Sequence, residues 1–107
     1  TSALVSVDEG ISIPSSFALD QNYPNPFNPS TQISFDVPMQ ADIVMLSIYN
    51  ILGQNVNTLV NRALDAGRYT FEWDATDDLG SPVASGVYFY ELRSTSFVSR
   101  KKMLLIR

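Results

Sequence analysis

Thr31-Gln32-Ile33-Ser34-Phe35-Asp36-Val37, closed by Pro38, alternates three large apolar side chains with polar ones at every second position. A period of two turns Ile33, Phe35 and Val37 to one face of an extended chain and Gln32, Ser34 and Asp36 to the other, the pattern of a half-buried strand. Pro38 has no amide to donate and ends the ladder. The same rhythm extends outward along the chain. Residues 42–49 place Val44, Leu46 and Ile48 on one face, and the Asn50 to Gly53 stretch supplies a turn. Residues 54–60 carry Val56 with either Leu59 or Val60, which leaves the register open, and a helix over residues 57–64 is a weaker alternative. Residues 67–73 alternate Tyr69, Phe71 and Trp73, and residues 86–93 alternate Tyr88, Tyr90 and Leu92 against Val87, Phe89 and Glu91. Residues 97–106 form a last strand, and a short one fits around residues 17–19. Strands at intervals of about ten residues, with Gly, Pro, Asn or Asp between them, predict an all-β immunoglobulin-like antiparallel β-sandwich of about seven strands.

At 107 residues the chain is one domain, and neither Cys nor His occurs. That excludes an inter-sheet disulfide, thiolate and imidazole metal sites, cysteine nucleophiles and His-dependent triads. No Ser sits in a Gly-x-Ser-x-Gly elbow, and acids clustered in one turn give no sign of a carboxylate pair held across a cleft, so the chain reads as non-catalytic. Charge is polarised. Residues 1–92 hold all eleven carboxylates against Arg62 and Arg68, a balance of −9, whereas residues 93–107 carry five cations and no acid. A body of that sign repels a phosphate backbone, which argues against nucleic acid as a partner. No apolar run reaches the roughly 20 residues of a membrane-spanning helix. Residues 1–16 read as a linker or weak leading strand joining residues 17–107 to an upstream passenger domain.

Residues 19–31, Leu-Asp-Gln-Asn-Tyr-Pro-Asn-Pro-Phe-Asn-Pro-Ser-Thr, strongly resemble the entry motif of the C-terminal sorting domain of the type IX secretion system, type A class. Further blocks follow in that family's order: residues 48–54, 66–69, Trp73-Asp74, Asp77-Asp78-Leu79-Gly80, residues 83–90 and residues 99–107. The resemblance covers residues 17–107. Trp73-Asp74, Asp77-Asp78-Leu79-Gly80 and the Gly86 to Tyr88 stretch also resemble, more weakly, the Ig-like domain of flagellar hook-capping proteins. Ala75 stands where both families lead one to expect Gly. The resemblance implies a passenger exported through the periplasm and carried across the outer membrane by the type IX translocon. A sortase-like surface peptidase then trims the domain, and the product is secreted or held at the cell surface. The alternative is an accessory binding module for carbohydrate or a protein subunit, in a secreted enzyme or a hook-cap-like assembly.

Three motifs carry the candidate sites. Residues 99–107 join Arg100, Lys101, Lys102 and Arg107 to a short apolar run, which suits an edge strand protected by charge and readable by secretion machinery through strand addition and charge complementarity. Gly86 and Tyr88 are counted with these recognition residues. The residues 86–90 run reads as a central strand buried on both faces, with Gly86 making a turn or close approach, and Trp73 as core rather than a sugar platform beside Tyr69. Asp74, Asp77 and Asp78 offer oxygen ligands suited to Ca²⁺ but lack EF-hand spacing, so a capped turn is the favoured reading and no cofactor is expected. The proline-rich residues 23–30 read as a stiff loop whose Tyr23 and Phe27 plug one end of the core.

Overall fold

The computed structural model describes residues 3–8, 13–39 and 41–107. Eight strands occur among them: β1 (Ala3–Asp8), β2 (Ala18–Leu19), β3 (Thr31–Val37), β4 (Ala41–Tyr49), β5 (Asn55–Leu64), β6 (Gly67–Trp73), β7 (Gly86–Ser94) and β8 (Phe97–Leu105). They form two four-stranded antiparallel sheets, β1-β6-β3-β2 and β5-β4-β7-β8. The inward side chains of both sheets build one core: Ile33, Phe35, Phe71 and Trp73 from the first meet Leu46, Ile48, Tyr90, Leu92 and Met103 from the second. Rings organise it, with Phe35 stacked on Tyr69 and Phe71, and Trp73 edge-on to Tyr88 at 5.3 Å and tilted against Phe27.

Several expectations change on this frame. The residues 57–64 stretch is strand, not helix. Leu59 and Val60 both point inward because the register slips between Leu46 and Ser47, leaving Leu59 as the extra residue of a bulge. A bulge breaks the period of two, so alternation alone could not set that register. β7 is central, but its outer side is closed only at Glu91: Tyr88, Tyr90 and Leu92 are buried on the inner side, whereas Val87 and Phe89 on the outer side are half-buried. Gly86 is needed for its φ of +149° and not for a close approach, since a Cβ there would meet nothing within 4 Å. In the proline-rich loop Phe27 plugs the core as expected, but Tyr23 is 80% exposed. The peptide bonds before Pro24, Pro26 and Pro29 are cis.

Ala75 adopts the left-handed φ of +63° and is fully buried. Its carbonyl accepts from the Val83 amide, which pins the turn after Trp73. Relief of left-handed strain by glycine is worth about 1–2 kcal/mol. Loss of a buried methyl, about 0.8 kcal/mol, and the greater freedom of unfolded glycine, about 0.5–1 kcal/mol, oppose it. Ala75→Gly is therefore expected to leave the melting temperature nearly unchanged, whereas Ala75→Val should cost more than about 2 kcal/mol. Thermal denaturation of the two variants checks both.

Candidate docking surface

β7 and β8 pair without interruption from Gly86↔Leu105 to Ser94↔Phe97. Strand alternation then sets Phe89 and Lys102, Glu91 and Arg100, and Arg93 and Val98 side by side on the outward face, with Tyr49 of β4 next to Phe89. Glu91 is the pivot: only 7% exposed, its carboxylate accepts from Arg93 Nε at 3.2 Å and Arg100 Nη2 at 3.1 Å. The Arg100 guanidinium lies 5.2 Å from the centroid of Tyr49 and 6.0 Å from that of Phe89, at cation–π distance. Arg100 is thereby held against the sheet while 49% of its side chain remains open. Lys102 is exposed and Lys101, facing the other way at the strand's margin, is half-buried. The result is a half-apolar, cationic sheet face with its arginines fixed in place.

The edge of β8 is less free than the basic tail alone suggested. Residues 17–27 run alongside it, starting where Phe17 stacks on Phe97 at 5.1 Å. Gln21 Nε2 donates to the Lys102 carbonyl at 2.8 Å, and Leu104 N donates to Asn25 Oδ1 at 3.0 Å. Phe27 closes the pair, its amide donating to the Leu104 carbonyl and its carbonyl accepting from Ile106 N. By the two-residue alternation, Val98 and Arg100 are the next residues whose main-chain groups face away from β7. The two motifs singled out in the sequence, the proline run and the basic tail, are thus one assembly. Asn22 locks it from beneath: its amide donates to Tyr90 Oη at 2.8 Å, its side chain donates to the Pro24 carbonyl and Thr31 Oγ1, and Tyr90 Oη donates to the Asp20 carbonyl at 2.6 Å. Burial pushes the Tyr90 phenol up to about 12.

The remaining candidates have internal work. Tyr88 is buried and its hydroxyl donates to the Ala84 carbonyl at 2.6 Å; burial raises its pKa, opposed by the charge of Arg107. Arg107 folds back onto the turn loops, with Nε donating to the Val83 carbonyl at 2.7 Å and Nη2 to that of Ala75 at 2.9 Å. In the acidic turn Asp77 Oδ1 accepts from the Leu79 and Ser81 amides, Asp78 Oδ1 from the Thr58 amide, and Asp74 Oδ1 from Thr76 Oγ1. These are the bonds of a capped turn that also ties off the start of β5. Among the described residues no three acidic side chains are grouped as a metal site. Trp73 and Tyr69 are 1% and 4% exposed, so neither offers a ring to a sugar. The Tyr49, Phe89, Glu91 and Arg93 contribution was not foreseen. Its signal was a glutamate between two aromatics and a leucine in the residues 88–92 run.

A two-sheet antiparallel sandwich with this strand arrangement belongs to the immunoglobulin-like class of domains. More narrowly, the chain belongs to the FlgD Ig-like domain family, whose model matches residues 20–96. It is thus the hook-cap likeness, the weaker one in the sequence, that the family model carries. Among solved structures, PorU from Porphyromonas gingivalis superposes with a TM-score of 0.65 at 23% identity, over 91% of this chain and 10% of that one. PorZ, described as an essential bacterial surface component of the type-IX secretion system of P. gingivalis, gives 0.57 at 22% identity, over 81% and 11%. FlgD from P. aeruginosa gives 0.54 at 24% identity, over 70% and 57%. At such identities the likeness is one of fold, and this chain spans about a tenth of the PorZ and PorU chains. No curated protein matches the sequence significantly.

Proposed function

We propose that this domain is a non-catalytic C-terminal sorting signal that directs a larger passenger across the outer membrane through the type IX translocon. The observation that carries the reading is the joining of the two most distinctive sequence motifs into one surface: the proline-run segment is hydrogen-bonded along β8 and leaves the Arg100 and Lys102 face open. A signal displayed on a folded domain has to be rigid to be read with low entropic cost, and Glu91, Tyr49 and Phe89 make Arg100 so. The fold likeness to PorZ, a type-IX component by its description, supports the assignment. The partners are the translocon, a sortase-like peptidase and the passenger, and the destination is the cell surface or medium. In this reading Arg100, Lys101 and Lys102 meet the machinery directly, while Gly86, Tyr88 and Arg107 set the shape of the hairpin and its end.

The test is a reporter fused ahead of this chain and expressed in a host with a type IX system. Lys101→Gln with Lys102→Gln should change the melting temperature little, since surface substitutions usually stay within about 0.5 kcal/mol. Arg100→Gln should cost about 1 kcal/mol more, because Glu91 loses one of its two arginines. All three together should reduce export severalfold at unchanged periplasmic folding. Full export by the triple variant would remove the basic face from the mechanism.

A further inference from the structure

We infer that a cleft between the proline-run segment and the outer side of the β1-β6-β3-β2 sheet is a binding site for a single neutral sugar ring. Tyr23 and Pro24 belong to the segment that runs along β8, whereas Gln32 and Glu72 stand on β3 and β6 of the other sheet, and the inference does not rest on the sorting role. The cleft measures about 280 Å³ and is lined by Tyr23, Pro24, Ser30, Thr31, Gln32 and Glu72. That is just below the usual range for ligand clefts, room for one ring rather than an extended chain.

Its chemistry differs from that of the surrounding sheet. Along the rest of this face the polar side chains engage one another: Ser34 hydroxyl with Thr70 hydroxyl at 2.8 Å, and Arg68 with both Asp20 and Asp36. The carboxylates hold the Arg68 guanidinium above its ordinary pKa, Asp20 first and Asp36 second. Around the cleft the arrangement stops. Among the described residues, the Tyr23 hydroxyl, the Ser30 hydroxyl, the Gln32 amide and the Glu72 carboxylate make no side-chain hydrogen bond, although all four line one concavity.

The frame holding them is nevertheless fixed. Tyr23 and Gln32 exchange both main-chain hydrogen bonds, at 3.0 and 2.9 Å, and Gln32 pairs with Glu72 across β3 and β6. The Pro24 carbonyl behind them is held by Asn22 and Thr31. An exposed phenol ring beside a proline offers an apolar platform for the C–H face of a pyranose. The carboxylate and the amide oxygen accept from sugar hydroxyls, while the amide nitrogen and the hydroxyls donate. One carboxylate and no cation favours an uncharged sugar over an acidic one. Three neutral hydrogen-bonding groups beside that carboxylate favour a polyhydroxyl ligand over a lysine side chain.

Amide chemical shifts of the 107-residue chain, titrated with the methyl glycosides of glucose, galactose, mannose and N-acetylglucosamine, test this. At least one glycoside is expected to move Tyr23, Ser30, Gln32 and Glu72 together with a Kd of about 1–10 mM, leaving the Trp73 indole unmoved. Tyr23→Ala and Glu72→Gln, both at open positions, should each weaken that Kd about tenfold or more. The inference is overturned if no glycoside moves these residues at about 100 mM. It is equally overturned if binding survives Tyr23→Ala unchanged, or if Nα-acetyl-lysine amide moves the same residues while every glycoside fails.

Discussion

Deletion of residues 103–107 is expected to abolish cooperative unfolding. Met103 and Leu105 are each 1% exposed, and removing one such side chain from a core typically costs about 2–5 kcal/mol. The same deletion strips Phe27 of both main-chain partners and Asn25 of its amide donor. It also frees the Val83 and Ala75 carbonyls from Arg107. Together these losses approach or exceed the ~5–15 kcal/mol by which a domain is stable. Near-ultraviolet circular dichroism and a thermal melt should show no folded baseline for the truncated chain. A sharp transition within a few degrees of the parent's would mean that β8 is an appendage and the proline segment stands without it. With no folded baseline, loss of export on truncation reports unfolding, which is why the charge substitutions, and not truncation, test recognition.

Tyr90→Phe is the second large effect. One hydroxyl donates to Asp20 and accepts from Asn22, and it is the bolt between the sandwich interior and the segment that covers β8. Phenylalanine keeps the ring and leaves a buried amide and a carbonyl without partners, at about 1–3 kcal/mol for each unsatisfied group. We expect a loss of about 2–4 kcal/mol in denaturant unfolding. The variant also changes the pH dependence. Burial holds the Tyr90 phenol at about 12 in the folded state, against about 10 when unfolded. The native state therefore keeps a proton that the unfolded chain releases. This contribution is complete below about pH 10 and is lost as pH rises through 12, with Tyr88, shifted in the same direction, adding to it. Tyr90→Phe should flatten the fall of stability over that window, and an unchanged slope would contradict the buried phenol.

The legible part of the fold was the part with an unbroken period. Ile33, Phe35 and Val37, and Tyr69, Phe71 and Trp73, point where alternation put them, because β3 and β6 pair residue for residue from Thr31↔Trp73 to Val37↔Gly67. β5 was obscured by the bulge at Leu59, and Tyr23 by its neighbours, since nothing local distinguishes an aromatic that plugs a core from one that overhangs a cleft. The basic tail was visible as charge. Its restraint was not: the bonds from Gln21 and Asn25 to β8 span 81 and 79 positions of sequence, and no local pattern encodes such a pairing. In the Asp74, Asp77 and Asp78 turn, read from composition as a capped turn, Asp77 and Asp78 accept from backbone amides and Asp74 from the Thr76 hydroxyl.

The sorting role is tested most directly by export of one reporter, carrying this chain at its C-terminus, in two strains that differ only in a working type IX translocon. The account predicts reporter at the surface or in the medium of the competent strain and its retention in the periplasm of the deficient one. Equal export from both strains, or retention in both with the domain folded, would contradict it.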